Sequence, residues 1–233
     1  MISRLDQSFE KQKQFVSDAS HELRTPISVI QGYVNLIDRW GKSDTEVLEE
    51  SISSIKYETE HMANLIKQLL FLARTDNKTQ TAQLKPENIS IIAEDVVREA
   101  TVMDSKITIK FTWDNSVIAN IDEHLIKQLM WIFVDNAIKY SADKPIIINV
   151  NTGYENEKPF FTVADKGIGM EQENINHIFD RFYRADQSRN KEIDGNGLGL
   201  SIAKWIIEQH NGHIDVVSEI GKGSCFKITF PKL

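Results

Sequence analysis

Residues 1–75 repeat their apolar side chains every seven positions. Phe9, Val16, Leu23, Ile30 and Ile37 form one series; after Gly41-Lys42-Ser43-Asp44 a second follows as Leu48, Ile55, Met62 and Leu69, flanked by Ile52, Ile66 and Ala73. Sustained seven-residue spacing predicts helices packed along a seam. Ser43 with Glu46 has the spacing of a capping box that restarts the second helix. The reading is a hairpin of two long antiparallel helices. Such a hairpin leaves apolar stripe exposed, and a second copy completing a four-helix bundle covers it economically. A homodimer is therefore expected; the alternative is a hairpin packed only against the rest of its own chain.

Residues 76–87 are polar and aperiodic and read as a linker. From 88 to 233 the pattern mixes two periods. Helices are expected at about 89–101, 122–140, 171–178 and 198–210, and strands at 107–113, 146–152, 159–165, 213–218 and 224–230. The intermixing predicts an α plus β domain with one sheet under several helices. The stretch 184–197, rich in Arg, Asp, Asn and Lys, reads as a long mobile loop.

The composition narrows the possible chemistry. The chain has 233 residues, 41% apolar and 26% charged, enough apolar surface for packed cores in two domains. A net charge of −7 argues against direct nucleic-acid binding, which calls for a basic face. The lone cysteine, Cys225, excludes an internal disulfide and a multi-cysteine zinc site. No apolar run approaches the roughly 18 residues of a membrane span, and Met1-Ile2-Ser3-Arg4-Leu5-Asp6 lacks a signal peptide's apolar core. The expected setting is cytoplasmic, without membrane contact by this segment.

One histidine stands apart. With Val16 and Leu23 at a positions, His21 falls at f, farthest from the seam, so its ring is expected in solvent on a rigid helix. Thr25 lies one turn on along the same face, and Glu22 is adjacent. Pro26 then removes a backbone donor and crowds the carbonyl of residue 22, a joint that lets the exposed ring rock between partners. A lone surface histidine is otherwise an ordinary solvated group.

Three further segments suit a nucleotide. No G-x-x-x-x-G-K-[ST] loop occurs, so a P-loop enzyme is excluded. Asp165-Lys166-Gly167-Ile168-Gly169-Met170 follows an apolar strand; a carboxylate there can accept a hydrogen bond from an adenine amino group, and glycines let backbone approach the ring. Gly195-Asn196-Gly197-Leu198-Gly199 precedes a helix, placing free N–H groups and the positive dipole end toward phosphate; a flexible hinge looks similar. At the end of the helix from about Leu125, Asn136 offers a hard oxygen suited to Mg²⁺, with Lys139 toward phosphate and Tyr140 toward the nucleotide. A helix-capping Asn136 is the competing reading.

The run Ser20-His21-Glu22-Leu23-Arg24-Thr25-Pro26 resembles the phosphoacceptor box of the sensor histidine kinases of two-component signalling. The ordered succession of Asn136, Asp165/Gly167/Gly169, Ile178-Phe179-Asp180-Arg181-Phe182-Tyr183-Arg184, Gly195/Gly197/Gly199 and Gly221-Lys222-Gly223-Ser224 resembles the N, G1, F, G2 and G3 boxes of their catalytic domain. Together these cover nearly the whole chain. The resemblance implies a helical dimerisation and phosphotransfer hairpin followed by an α/β sandwich of the Bergerat type. It implies autophosphorylation of His21 from ATP with Mg²⁺ on Asn136, and onward transfer to an aspartate of a response-regulator receiver domain. Glu22 would take the imidazole proton, Asp165 would select adenine, and Lys139 and Arg184 would face phosphate. Thr25 matches the position that supports dephosphorylation of the regulator. A nucleotide-sensing dimeric scaffold, or a phosphatase-dominant form without autokinase activity, is the alternative. Two departures stand out: Ile132 occupies a position where the family often has a second Asn, and the usual N-terminal sensor and membrane helices are missing, which implies a membrane-anchored parent protein.

Overall fold

The computed structural model describes residues 2–233 except 42, 104–106, 115, 142–145 and 186–194, and it describes 2–9 and 11 by backbone alone. The chain divides into two compact units, Met1–Asn77 and Lys78–Leu233.

The first unit is a helical hairpin, α1 (Ile2–Trp40) and α2 (Thr45–Asp76). Pro26 lies inside α1 without ending it, and its ring is buried. The turn differs from the expected capping box. Asp44, in extended backbone, is the N-cap of α2 and accepts from the amides of Glu46 and Val47 at 3.1 and 3.2 Å. Ser43 turns back instead, its hydroxyl donating to the Trp40 carbonyl at 3.0 Å. A carboxylate at the cap satisfies two orphan donors and faces the positive helix end, which is why it displaces the serine.

The second unit has two layers. Its sheet has the order β2 (Ile107–Trp113), β4 (Ile146–Glu155), β5 (Lys158–Asp165), β7 (Gly223–Thr229), β6 (His213–Glu219), parallel at β2–β4 and antiparallel elsewhere. Helices α3 (Ile89–Met103), α4 (Glu123–Lys139) and α6 (Gly199–Gln209) cover one face. Alternation decides which side is covered: Ile146, Ile148, Val150 and Thr152 of β4 are buried, while the residues between them are half-exposed. Aromatic rings fill the layer between sheet and helices. Phe133 of α4 stacks on Phe226 at 4.8 Å between centroids, and Phe161 joins Phe133 to Phe230 at 6.4 and 6.1 Å.

Two short strands were not foreseen. β1 (Lys85–Asn88) pairs antiparallel with β3 (Ile118–Ile121), so the last residues of the expected linker are part of this unit. Four-residue strands, one containing Pro86, carry too little alternation to be read from sequence. The helix expected at 171–178 is only the single turn α5 (Gln172–Ile175), after which the chain tightens through bonds from the His177 and Asp180 amides to the carbonyls three residues back.

Candidate functional site

In the helical unit His21 is exposed, as the heptad register predicts, and Thr25 above it is exposed too. Glu22 is half-buried beside it. The neighbouring serines, Ser20 and Ser28, return their hydroxyls to carbonyls four residues back at 2.7 and 3.0 Å. The imidazole therefore stands on a helix where these two serines are occupied by the backbone.

The second unit encloses a cavity of about 540 Å³, within the range of small-molecule sites. It opens where α4 ends and the chain leaves β5. The wall holds Asn136 of α4 and Tyr140 at its C-cap, Asp165 at the end of β5, Gly169 from the loop that follows, and Arg184. The rest is largely apolar: Ile168, Met170, Ile178, Leu200, Ile220 and Phe226. These apolar residues bear no chemistry that marks them in sequence; strand order brings them together.

Asp165 organises the polar end. Its Oδ1 accepts from the Gly167 amide at 2.7 Å and the Ser224 amide at 3.2 Å, leaving Oδ2 for a ligand. Burial pushes its carboxyl above the usual carboxylate range, against the two amide bonds that lower it. Two glycines are required here by geometry. A Cβ on Gly167 would strike the Tyr140 carbonyl, and one on Gly169, at φ +66°, would strike the Glu219 carbonyl. These close approaches let the Ile168 amide bond Tyr140 O at 3.0 Å and its carbonyl accept from Gly221 at 2.8 Å, locking the loop between α4 and the β6–β7 turn. Met170 is held by donation of its amide to Ser218 Oγ at 2.8 Å.

The remaining expected residues are not on the cavity wall. Lys139 reaches back along α4 to Asp135 at 2.7 Å and is not on the cavity wall. Gly167, Gly195, Gly197, Leu198 and Gly199 are off the wall as well. Leu198 is fully buried, and Gly199 begins α6, where Ile132 of α4 approaches it. Gly197 receives the Phe182 amide at 2.9 Å, both residues at positive φ, so the two ends of the stretch expected to be a loop are tied together. The body of that stretch, 186–194, lies outside the described residues. Ser224 was legible only as part of the last glycine-rich run, yet both its amide and its place on the wall belong to the site.

Residues 11–78 match the His Kinase A (phospho-acceptor) domain, and residues 121–233 match the histidine kinase-, DNA gyrase B-, and HSP90-like ATPase. The chain is 43% identical over 230 residues to sensor histidine kinase YkoH of Bacillus subtilis, covering 99% of this chain and 50% of YkoH. It is 41% identical over 235 residues to signal transduction histidine-protein kinase ArlS of Staphylococcus aureus, covering 99% and 51%. It thus spans about half the length of these relatives. Among solved structures, histidine kinase ThkA in complex with response regulator protein TrrA superposes with a TM-score of 0.73 at 21% identity, over 99% of this chain and 66% of that one. Acinetobacter baumannii histidine kinase AdeS gives 0.69 at 22%, over 90% and 96%. These two likenesses establish a shared fold.

Proposed function

The chain belongs to the histidine kinases, joining their phospho-acceptor domain to their ATPase domain, and on that premise we propose that it phosphorylates itself on His21 from ATP and passes the phosphoryl group to an aspartate of a response-regulator receiver domain. The observation that carries this is His21 itself, solvent-exposed within the phospho-acceptor match.

One nitrogen of the neutral imidazole attacks the γ-phosphorus in line as the bond to the ADP oxygen breaks. The proton on the other nitrogen passes to Glu22, the adjacent carboxylate. Asp165 Oδ2 accepts from the adenine amino group, Tyr140 and the apolar wall hold the ring, and Arg184 faces phosphate. Asn136 offers the wall a neutral carboxamide oxygen that would hold Mg²⁺, with its other ligands coming from phosphates and water. Mg²⁺ when bound offsets phosphate charge. Lys139, paired with Asp135, serves phosphate only by leaving that carboxylate.

Thr25, exposed one turn from His21, orients water for the reverse service, dephosphorylation of the regulator. The exposed Val34, Trp40, Ile52 and Leu70 supply the apolar surface of a homodimeric bundle. No helix among the described residues is long and apolar enough to cross a membrane. We read this segment as the cytoplasmic part of a membrane-anchored sensor.

The test is incubation with γ-labelled ATP and Mg²⁺ beside His21→Gln and Asn136→Ala. Acid-labile, alkali-stable label that both substitutions abolish is expected. Absence of label while ATP still binds would leave a sensing or phosphatase-dominant form, and label surviving His21→Gln would name another acceptor.

A further inference from the structure

Among the described residues, the charged side chains of the cavity wall are Asp165, Glu171 and Arg184. The first and last have a use in the reading above; Glu171 has none. It follows Met170, whose amide is held on Ser218 Oγ at 2.8 Å, and it precedes α5, which its carboxylate does not cap. Its side chain is exposed. A carboxylate placed where a polyphosphate binds repels that ligand unless it faces a neutral part of it.

Asn174, three residues on, is part of the same wall. Its backbone amide closes the turn by donating to the Glu171 carbonyl at 3.0 Å. Its side-chain Oδ1 accepts from the Tyr183 hydroxyl at 2.8 Å, which leaves the Nδ2 group to donate. Tyr183 is seated against the His177 ring, 5.6 Å between centroids, and immediately precedes Arg184. In chain order the wall therefore presents the Asp165 carboxylate, then the Glu171 acceptor with the Asn174 donor, then the arginine that Tyr183 adjoins.

We propose that Glu171 and Asn174 recognise the ribose of the nucleotide, Glu171 accepting from its 2′- and 3′-hydroxyls and Asn174 Nδ2 donating to the 3′-oxygen. This rests on the nucleotide reading given above. The hydrogen-bond donors of ATP are the adenine amino group and the two ribose hydroxyls, while its phosphate oxygens accept. A carboxylate is an acceptor only. Asp165 serves the amino group, so the adjacent hydroxyls are the donors left for a second carboxylate. Carboxylates bind ribose hydroxyls in this way at dinucleotide sites of other folds. The placement agrees, because the sugar joins base to phosphates and these two residues come between Asp165 and Arg184 along the wall. Asn174, tied to the neighbour of Arg184, takes the hydroxyl farther from the base.

The experiment measures binding of ATP, 2′-deoxy-ATP and 3′-deoxy-ATP to the full chain and to Glu171→Ala, Glu171→Gln and Asn174→Ala. The parent should prefer ATP to each deoxynucleotide on the order of 10-fold, the worth of a hydrogen bond to a charged group. Glu171→Ala should bring both ratios close to one, and Glu171→Gln, which keeps one acceptor oxygen, should retain part of them. Asn174→Ala should narrow the preference over 3′-deoxy-ATP alone. Ratios are read because removing a negative charge shifts all three affinities together. Equal binding of the three nucleotides by the parent, or ratios left intact by Glu171→Ala, would overturn the proposal. An unchanged 3′ preference in Asn174→Ala would remove Asn174 from it. Failure of the parent to bind ATP at all would instead overturn the nucleotide reading beneath it.

Discussion

The Asp122 amide donates to Nε2 of His210 at 2.9 Å, joining the start of α4 to the end of α6 across 88 residues of sequence. The other ring nitrogen, Nδ1, lies 2.7 Å from the Ile206 carbonyl, so the buried imidazole is a neutral ring with its proton on Nδ1. Burial holds its pKa below the ordinary histidine value, opposed by the Ile206 carbonyl and the Asp122 charge. The Phe230 ring packs edge-on against it.

That geometry predicts acid sensitivity of the catalytic domain. A histidine whose folded pKa is depressed contributes stability that is complete above the unfolded value of about 6.5 and is lost as pH falls from there through the folded value. Thermal unfolding followed from pH 8 to 5 should show stability declining below about 6.5. His210→Gln, which can still accept from Asp122, should flatten that slope. His210→Leu should cost about 1–3 kcal/mol at neutral pH by orphaning the Asp122 amide.

Asp165 predicts the opposite sign. Its raised pKa means the folded state holds the proton more tightly than the unfolded one, so stability falls as pH rises through the interval between the two values. Above that interval the ionised, half-buried carboxylate is a cost. Asp165→Asn keeps an oxygen for the Gly167 and Ser224 amides and removes the charge. Its melting temperature at pH 7 should rise. Calorimetry with ATP should show binding lost in the same variant.

Gly169 and Gly221 separate strain from collision. Both have positive φ, +66° and +75°, but a Cβ at Gly221 meets nothing within 4 Å, while one at Gly169 strikes the Glu219 carbonyl. Gly221→Ala should cost only about 1–2 kcal/mol in chemical denaturation. Gly169→Ala should cost more and weaken ATP by more than tenfold, because the loop must leave β6. Equal penalties at the two positions would refute the collision argument.

The proposed dimer of helical hairpins should dissociate when its bare stripe is charged. Leu70 and Val34 are 53% and 50% exposed in the single chain. Leu70→Glu or Val34→Glu should weaken dimerisation roughly 10–100-fold, given about 1.5–3 kcal/mol for burying such a side chain. Light scattering across dilution measures it. Val102→Glu, at a still barer position on α3, should leave the mass unchanged.

The large elements were legible because periodicity is strong over long segments. The strands expected at 107–113 and 213–218 appear as Ile107–Trp113 and His213–Glu219, and the seven-residue repeat predicts α1 and α2 with His21 exposed. What escaped was determined by contacts rather than pattern. Asp44 displaced Ser43 at the α2 cap because only the local turn decides which oxygen reaches the amides. Asn136, Tyr140 and Asp165 could be named as site residues from their chemistry, but Leu200, Ile220 and Phe226 reach the same cavity only through the fold. Lys139 had the charge for phosphate, yet Asp135 four residues earlier is a nearer partner, a competition that a list of motifs does not show.

The carboxylate at the polar end of the cavity is held by two main-chain amides, those of Gly167 and Ser224. Main-chain donors are present whatever side chain follows, and substitution at Gly167 is closed off by the Tyr140 carbonyl. An inhibitor that gives its key hydrogen bond to Asp165 therefore faces an anchor with few routes to resistance: changing Asp165 sacrifices the adenine contact proposed for it, and changing the residues that orient it leaves the amides in place. Escape would have to come from the apolar wall, where Met170, Leu200 and Ile220 can vary in size without disturbing those bonds. A compound kept small toward those three residues and committed to the carboxylate would be the harder one to evade.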